Sequence, residues 1–306
     1  MDVLVAWLAD NCPSEKQREL WTRDGAVEMV ADPASECGDR VLRAKAGLKR
    51  NLRLPVPPAC VLTLDIVEAS DIGKALRGLD RYTLFAVFLV YEQRRGAASF
   101  WKPYLDVLPR DILFHPITFL DRQDTCAPLA AALANEKLLL RALESQQEKL
   151  RAEFDHARAL ITMHATTDIP ALGECFSQSA PLLYEEFRWA SCMVISRAFN
   201  MVEPRKVMCM LPFADSMNHN AADPTVQWRP RLPKGFFVVT ILRDLSPGEE
   251  LTANYHGGGH ADGPRTQMDD LRNYVMYGFV ESNAFADVQQ AALLQPSAEP
   301  DAKPDM

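Results

Sequence analysis

Two short segments in the second half of the chain constrain its fold more than any other feature. Residues 211–219 begin with apolar side chains and then place Asp215 shortly before an adjacent pair, Asn218 and His219. Residues 248–255 form a Gly-Glu-Glu turn that leads into a strand-like run ending in Tyr255. Either segment alone is common by chance, so the information lies in their order and spacing.

The succession of apolar patterns predicts a mixed fold. Short apolar runs separated by Gly, Asn or Pro occupy residues 40–64 and recur between residues 207 and 255, which is typical of strands. Residues 127–165 instead carry apolar side chains at spacings of three, four or seven, which predicts a long helix that packs on its own domain. These side chains are Leu139, Leu143, Leu150, Phe154, Ala157 and Ile161. A coiled coil with a partner is the alternative reading of that pattern. Three further helices are expected, at residues 83–91, 180–200 and 269–278.

The net charge of −8 argues against nucleic acid or an acidic membrane surface as a partner. Basic residues do cluster between Arg40 and Arg53, but leucine and valine interrupt them. We therefore expect a solvated strand-and-loop surface there, with a binding patch as the alternative. A basic protein partner is compatible with the charge. No apolar run approaches the ~20 residues that a membrane span requires.

The seven cysteines are odd in number, widely scattered and without any Cys-x-x-Cys pair. This pattern argues against a zinc site or a disulfide framework and indicates reduced thiols in an intracellular compartment. His256 and His260 flank a run of glycines, and two ligands without a nearby carboxylate or Cys do not make a metal site, so we expect a flexible loop there. The N-terminus has neither the basic region of a signal peptide nor the Arg/Ser richness of a transit peptide. We expect a cytoplasmic or nuclear protein, or a plastid protein if a transit peptide is missing from the sequence.

Five segments, in the same order, resemble the signature segments of SET-domain methyltransferases. The resemblance is strongest to the subgroup typified by the plant Rubisco large-subunit lysine methyltransferase. The segments are Phe-Trp-Lys-Pro-Tyr-Leu-Asp-Val-Leu-Pro at residues 100–109, a helix-like stretch at 187–199, the two segments at 211–219 and 248–255, and Tyr-Gly-Phe-Val-Glu-Ser-Asn at 277–283. The resemblance as a whole covers roughly residues 37–285.

The resemblance implies an α+β fold with a β-rich SET core, whose C-terminal segment is threaded beneath a loop. It also implies that small sheets pack around residues 211–219 and 248–255 and bring Asn218 to within about 15 Å of Tyr255. The core spans residues 37–285 and is split by a helical insert at about 126–190. Residues 1–36 form an N-terminal segment with one short helix, and residues 286–306 form a tail that is expected to be disordered. The C-terminal helical domain with which the subgroup binds its protein substrate is expected to be absent.

The resemblance also implies S-adenosylmethionine as the cofactor and a lysine-containing protein as the substrate. Tyr255 is the implied catalytic residue, because the matching tyrosine lies at the methyl-transfer centre in that family. The implied cofactor-binding residues are Gly38, Arg40, Leu42, Ser196, Arg197, Asn218, His219, Tyr255 and Phe279. The implied substrate-binding residues are Arg197, Phe199, Asp215 and Tyr277.

Each of these residues also has an ordinary structural reading. The aromatic side chains would be core residues, and Asn218 with His219 would form a polar turn. Arg197 would be a surface arginine, and Ser196 would bond only its own helical turn. Asp215 would bind the backbone of its own loop.

The favoured function is an S-adenosylmethionine-dependent protein-lysine N-methyltransferase that acts by in-line displacement. The alternative is a non-catalytic SET-fold module that binds a protein, since residues 37–42 keep only Gly38 of the family's Gly-x-Gly-Leu turn and the helical domain is missing. A protein-histidine methyltransferase is a further alternative, for which the resemblance implies a more polar pocket around residues 196–199, whereas Phe199 favours lysine. A third reading is an incomplete gene product that lacks the helical domain and a plastid address.

Overall fold

The computed structural model describes residues 3–22, 27–31, 40–113, 115–165, 170–201, 207–231, 236–255, 266–280 and 282–294. Helices and short strands share these ranges, so the predicted α+β fold is confirmed. The α-helices are α1 Val3–Asp10, α2 Glu15–Thr22, α3 Leu64–Ala69, α4 Asp71–Ala75, α5 Arg81–Arg94, α6 Lys102–Leu105, α7 Phe119–Arg122, α8 Ala127–Asn135, α9 Lys137–Ala165, α10 Pro170–Cys175, α11 Tyr184–Arg197, α12 Gln267–Tyr277 and α13 Ala286–Ala292. The strands are β1 Val27–Ala31, β2 Arg40–Ala44, β3 Arg53–Val56, β4 Leu62–Thr63, β5 Phe199–Met201, β6 Val207–Met210, β7 Asn218–His219, β8 Val226–Arg231, β9 Phe236–Ile241 and β10 Thr252–Ala253. No helix in these ranges is long and apolar enough to cross a membrane.

The chain divides into two compact units. The first comprises Met1–Pro109 and His156–Gly263, and the second comprises Arg110–Asp155 and Pro264–Met306. Residues 126–155 of the predicted helical insert therefore belong to the second unit, and residues 156–190 belong to the first. The boundaries of the insert stay a prediction.

Three small sheets in the first unit organise its strands. Their orders are β3-β9-β8-β10-β7, β4-β6-β5 and β1-β2. Most neighbours are antiparallel, but β10 lies between β7 and β8 and runs parallel to both. Thr252 is paired with Asn218 and Ala253 with His219. The two segments that we singled out in the sequence are thus hydrogen-bonded neighbours, which agrees with the prediction that they lie close together.

Helix α5 is the buried helix of the first unit. Every residue from Thr83 to Glu92 is buried, as the solid apolar run at residues 83–91 predicts. The helix begins earlier than that run because Asp80 is its N-cap, and its carboxylate accepts hydrogen bonds from the backbone N–H groups of Tyr82 and Thr83. The other long helix packed against α5 is α11.

Arg94, in the last turn of α5, ties α5 to α11 and to the segment between α10 and α11. Its guanidinium donates to both carboxylate oxygens of Glu186, with Nε 3.0 Å from Oε1. It also donates to three backbone carbonyls, those of Cys175, Ala180 and Pro181, each at 2.8 Å. All five N–H groups therefore have an acceptor, which only the fork shape of arginine permits.

The N-terminal segment differs from the prediction of one short helix. It contains two helices, α1 and α2, and also the strand β1, which pairs with β2. Trp21 in α2 is fully buried, and its indole N–H donates to the carbonyl of Pro55 at 3.1 Å. The local pattern does not reveal these elements, because their apolar residues are buried against parts of the chain that lie further on.

The second unit has its own apolar core, which is built from α7, α8, α12, α13 and the start of α9. The buried residues are Phe119, Cys126, Leu129, Leu133, Leu139, Leu143, Leu271, Tyr274, Phe285, Val288, Ala291 and Ala292. The predicted helix at residues 269–278 is present as α12, and Gly278 ends it with a left-handed φ of 78°.

The expected disorder of the tail from residue 286 is wrong for its first part. Residues Ala286–Ala292 form α13, and Val288, Ala291 and Ala292 bury one face of this helix in the core. Arg122 closes its last turn by donating to the carbonyls of Ala292 at 3.0 Å and Leu294 at 2.9 Å. The composition of this stretch indicates disorder, but the spacing of three and four between Val288, Ala291 and Ala292 is that of one face of a helix. Residues 295–306 lie outside the described residues.

Candidate active site

Residues 211–219 turn sharply from a buried strand into a polar segment. Strand β6 is buried throughout, and Phe213 follows it with φ 79° and ψ −54°. A left-handed φ is a genuine outlier for a bulky residue and costs about 1–3 kcal/mol. The ring of Phe213 is fully buried and meets Trp21 edge to face, with centroids 4.9 Å apart. A 3₁₀ turn, Ala214–Ser216, then leads to β7.

Tyr255 is held by this segment at two points. Its phenol O–H donates to the carbonyl of Met217 at 2.6 Å. Its backbone N–H donates to Nδ1 of His219 at 3.0 Å, and the two rings lie 5.0 Å apart. Because Nδ1 is an acceptor here, the neutral imidazole carries its proton on Nε2. Residues of the preceding segment therefore help to set the orientation of the phenol, two positions after the end of β10.

Asn218 is exposed at the surface beside the turn that precedes β10. Its side-chain amide donates to Oε1 of Glu250 at 2.9 Å. Sequence reasoning did not assign a role to Glu250, although it stands in the Gly-Glu-Glu turn that the motif contains. The pair links the two signature segments on the solvent side, while the β7–β10 ladder links their backbones.

Asp215 is the buried charge of the segment. Its carboxylate accepts the phenol O–H of Tyr104, and its backbone carbonyl accepts Nη1 of Arg197 at 2.7 Å. Burial raises the pKa of the Asp215 carboxyl from 3.8 to about 6, against the lowering effects of Arg197 and the Tyr104 hydroxyl. The Nε atom of Arg197 is buried and has no hydrogen-bond partner among the described residues.

Solved structures with a similar fold include the SET domain of LSMT bound to lysine and AdoHcy, with a TM-score of 0.63, 21% identity and coverage of 91% of this chain and 56% of that one. Rubisco LSMT bound to AdoMet matches with a TM-score of 0.61, 21% identity and coverage of 92% and 56%. No family model matches the chain.

Curated proteins that resemble the chain carry related names. A chloroplastic [fructose-bisphosphate aldolase]-lysine N-methyltransferase of Arabidopsis thaliana is 27% identical over 291 residues, which is 92% of this chain and 55% of the relative. An actin-histidine N-methyltransferase of Drosophila melanogaster is 25% identical over 295 residues, or 87% and 49%. The chain has the fold of a SET domain. It spans about half the length of the curated relatives that it matches.

Two more residues implied for the cofactor, Ser196 and Leu42, lie in the first unit. The hydroxyl of Ser196 donates to the carbonyl of Cys192 at 2.7 Å, so its proton is used within α11. Leu42 is buried in β2, and its carbonyl accepts the N–H of Leu251 at 2.8 Å. Strand β2 therefore runs beside the residues that lead into β10.

The remaining implied residues are described only in part. Arg40 pairs through its backbone with Ala31, and its side chain is not described. Gly38, together with His256 and His260, lies outside the described residues. Phe199 packs edge to face on Trp228 at 4.8 Å and also meets Phe237 at 5.9 Å, so it stands in an aromatic cluster on β5, β8 and β9.

Tyr277 and Phe279 belong to the second unit. Their rings lie 6.0 Å apart on either side of Gly278. Their implied roles stay predictions. Across the described parts of both units, no group of three His, Cys, Asp or Glu side chains is placed to hold a metal ion.

The buried carboxyl of Asp215 predicts an unusual dependence of stability on pH. Because its pKa is raised in the folded protein, the folded state binds the proton more tightly than the unfolded state. Its contribution to stability is therefore complete below about pH 4 and is lost as the pH rises through about 6. Relative to Asp215→Asn, the wild type should lose up to about 3 kcal/mol of unfolding free energy between these limits. Urea titrations of both proteins at a series of pH values measure this difference.

Asp244→Asn is the matched control for this prediction. Asp244 is exposed, and hydrogen bonds from the Arg50 backbone and the Lys49 side chain lower its pKa. The stabilising effect of the Asp244 carboxylate is lost only when the pH falls below the pKa of an ordinary carboxyl. The difference in unfolding free energy between wild type and Asp244→Asn should therefore not change with pH above about pH 4. The prediction is contradicted if the difference in unfolding free energy between wild type and Asp215→Asn does not change with pH, or if the wild type gains stability relative to Asp215→Asn as the pH rises.

Proposed function

We propose that this SET-domain protein transfers a methyl group from S-adenosylmethionine to a lysine side chain of another protein. The observation that carries the proposal is the double attachment of Tyr255 to the Met217 carbonyl and the His219 ring. It fixes a phenol oxygen beside the two signature segments. A relative named for lysine methylation and a neighbour with bound lysine and AdoHcy support the same reaction class.

The polar groups of Arg197, Asn218 and His219 have the chemistry needed to bind S-adenosylmethionine. A buried guanidinium N–H without a partner is unfavourable by about 1–3 kcal/mol, and a carboxylate would satisfy it. Arg197 would use its Nε to hold the carboxylate of the methionyl end, while Asn218 and His219 would hold polar groups nearby. When bound, S-adenosylmethionine supplies a methyl group made electrophilic by its sulfonium. No step requires a metal ion or a strong base from the protein.

The substrate lysine must lose its proton before it can act as a nucleophile. A free lysine has a pKa near ~10.4, and an apolar channel lowers that value because it disfavours the charged form. Phe199 with its neighbours Trp228 and Phe237 would offer such an apolar wall. Tyr255 would align the neutral amine with the methyl group, which is the main requirement of an in-line displacement.

Asn218→Ala should weaken binding of S-adenosylmethionine by roughly 1–3 kcal/mol, which is about 5- to 150-fold in Kd. The reason is the loss of an amide that would pair with the ligand, in a protein whose β7–β10 backbone ladder is unchanged. Calorimetric titration of the full chain measures the effect. Asn220→Ala is the control, because the amide oxygen of Asn220 accepts the Asp223 N–H within its own turn. Equal losses in both variants, or none in either, contradict the assigned role.

The same titration separates the enzyme from the non-catalytic alternative. A wild type that binds neither S-adenosylmethionine nor S-adenosylhomocysteine at millimolar concentration is a SET-fold binding module. If the cofactor binds, incubation with labelled S-adenosylmethionine and protein extract, followed by mass spectrometry of the labelled band, identifies the acceptor. A methylated histidine instead of lysine favours the activity for which the actin-histidine relatives are named.

Parallel extracts from plastids and from cytosol extend this experiment to the compartment. The Arabidopsis relative is named as chloroplastic, so we propose the plastid extract as the first source of substrate. Labelling of a cytosolic protein alone overturns the plastid proposal while leaving the reaction class intact.

A further inference from the structure

Tyr104 is a buried phenol that the proposed reaction does not use. It lies in the four-residue helix α6 and is 0% exposed. A phenol in such a place needs a hydrogen-bond partner, because an unsatisfied buried hydroxyl is costly. Its O–H donates to the carboxylate of Asp215, which stands 111 positions further along the chain. Two polar groups that are both buried have thus been brought together from distant parts of the sequence.

The carboxylate, the backbone carbonyl and the backbone N–H of Asp215 all form hydrogen bonds. Its second carboxylate oxygen accepts the hydroxyl of Ser216 at 3.3 Å, and its backbone N–H donates to the carbonyl of Leu211 at 3.0 Å. Arg197 reaches its backbone carbonyl at 2.7 Å. The role implied for Asp215 by resemblance was substrate binding, but these contacts describe a residue that holds its own loop.

The anchored loop is also the one that holds Tyr255. Met217, two residues after Asp215, accepts the phenol of Tyr255, and His219, two residues further on, accepts its backbone N–H. We propose that Tyr104 is a positioning residue which, through Asp215, sets the place of the Met217 carbonyl and hence the direction of the Tyr255 hydroxyl. The inference rests on the proposed function for its catalytic meaning, but the coupling itself is a property of the fold.

The charge on Asp215 offers a readout of this coupling. The groups that face it are Tyr104 on α6, Arg197 on α11, Cys209 on β6 and Ser216 beside it. Burial raises the pKa of Asp215 to about 6, and the Tyr104 hydroxyl lowers it by favouring the charged form. Protonation or deprotonation of Asp215 near pH 6 should therefore change the positions of residues 215–219, and the environment of the Tyr255 phenol should change with them.

The experiment follows the ¹³Cζ resonance of Tyr255 in the full chain from about pH 4.5 to about pH 8. Tyrosine is labelled at Cζ, and the resonance of Tyr255 is the one missing from Tyr255→Phe. In the wild type it should change with a midpoint near pH 6, and in Tyr104→Phe the midpoint should lie at higher pH. Tyr82→Phe is the control, because its phenol accepts the Asn200 amide on the surface, away from Asp215 in hydrogen bonding.

Asp215→Asn makes the test decisive. His219 borders Tyr255, and imidazoles titrate in the same pH range. The part of the transition that depends on Asp215 should disappear in Asp215→Asn. A wild-type resonance that stays flat, or one that titrates identically in Asp215→Asn, overturns the positioning role. The wild-type measurement needs only Tyr255→Phe, for assignment of the resonance, and remains valid if Tyr104→Phe does not fold.

Methyl transfer measured on the same preparations separates the two proposals. Tyr104→Phe should lose about tenfold in turnover near pH 6 with cofactor affinity changed less than about threefold, and its acid limb should move to higher pH. If the Tyr255 resonance shows the pH transition that depends on Asp215 but no preparation transfers methyl groups, the proposed function is refuted and the positioning role is not. Transfer by the wild type with no coupling refutes the positioning role alone.

Discussion

Replacing Tyr255 by Phe is expected to slow methyl transfer by ~10²-fold or more while cofactor binding changes little. The substitution keeps the ring and its contact with His219, and it removes the hydroxyl that Met217 orients. An oriented polar group that acts only as the amine and methyl align is felt in the chemical step rather than in ground-state binding. Turnover, calorimetric affinity and melting temperature should be measured on one preparation.

The matched comparison is again a tyrosine outside the site. Tyr82→Phe loses a surface hydrogen bond with Asn200 and should keep wild-type turnover. If Tyr255→Phe turns over as fast as this control, Tyr255 has no catalytic role, although the fold assignment stands. A slower variant whose melting temperature falls in parallel indicates a core tyrosine.

Arg94→Ala should lower the free energy of unfolding by about 3–5 kcal/mol. The guanidinium and the Glu186 carboxylate are only 17% and 29% exposed, so loss of the cation leaves a largely buried anion. Three backbone carbonyls also lose their donor, and Phe176 loses the cation 4.8 Å above its ring. Chemical denaturation followed by circular dichroism measures the change.

Arg94→Lys distinguishes charge from geometry in this cluster. A lysine keeps the positive charge but has three N–H donors for the five acceptors that Arg94 binds. Arg94→Lys should therefore recover at most about half of the unfolding free energy that Arg94→Ala loses. Lys74→Ala is the control, since Lys74 and Asp71 form an exposed pair worth about 0.5 kcal/mol or less. Full recovery by lysine, or a loss in Arg94→Ala no larger than that in Lys74→Ala, contradicts the assignment.

The closeness of the two signature segments could be predicted because each is recognisable from its own residues and the two match the family's signatures in order. Residues 211–219 and 248–255 each carry their own turn and strand pattern, and β7 and β10 are neighbours in one sheet. Helix α5 was visible for the same reason, as a solid apolar run. Strand β1 and helix α13 were missed, since their apolar residues become meaningful only against partners that lie elsewhere in the chain.

The candidate site divides in the same way. Tyr255, Asn218 and His219 were found from motifs, whereas the contacts that hold them were not. The Tyr104–Asp215 bond joins positions that no sequence pattern relates, and Glu250 meets Asn218 through a side chain whose direction depends on the sheet. Motifs name the chemical groups, and the fold decides which of them are already occupied by a neighbour.

The unusual backbone of Phe213 has a consequence for the order of folding. A residue with a left-handed φ keeps that conformation only while its surroundings hold it, and here the Trp21 ring of α2 is the side chain that meets it edge to face. Trp21 comes from the opposite end of the first unit's sequence. We therefore expect the loop that orients Tyr255 to take its shape only after the N-terminal helices have docked, so that a working site forms late in folding. A chain that lacks its first 22 residues should still form β8 and β9 yet leave residues 211–219 unset.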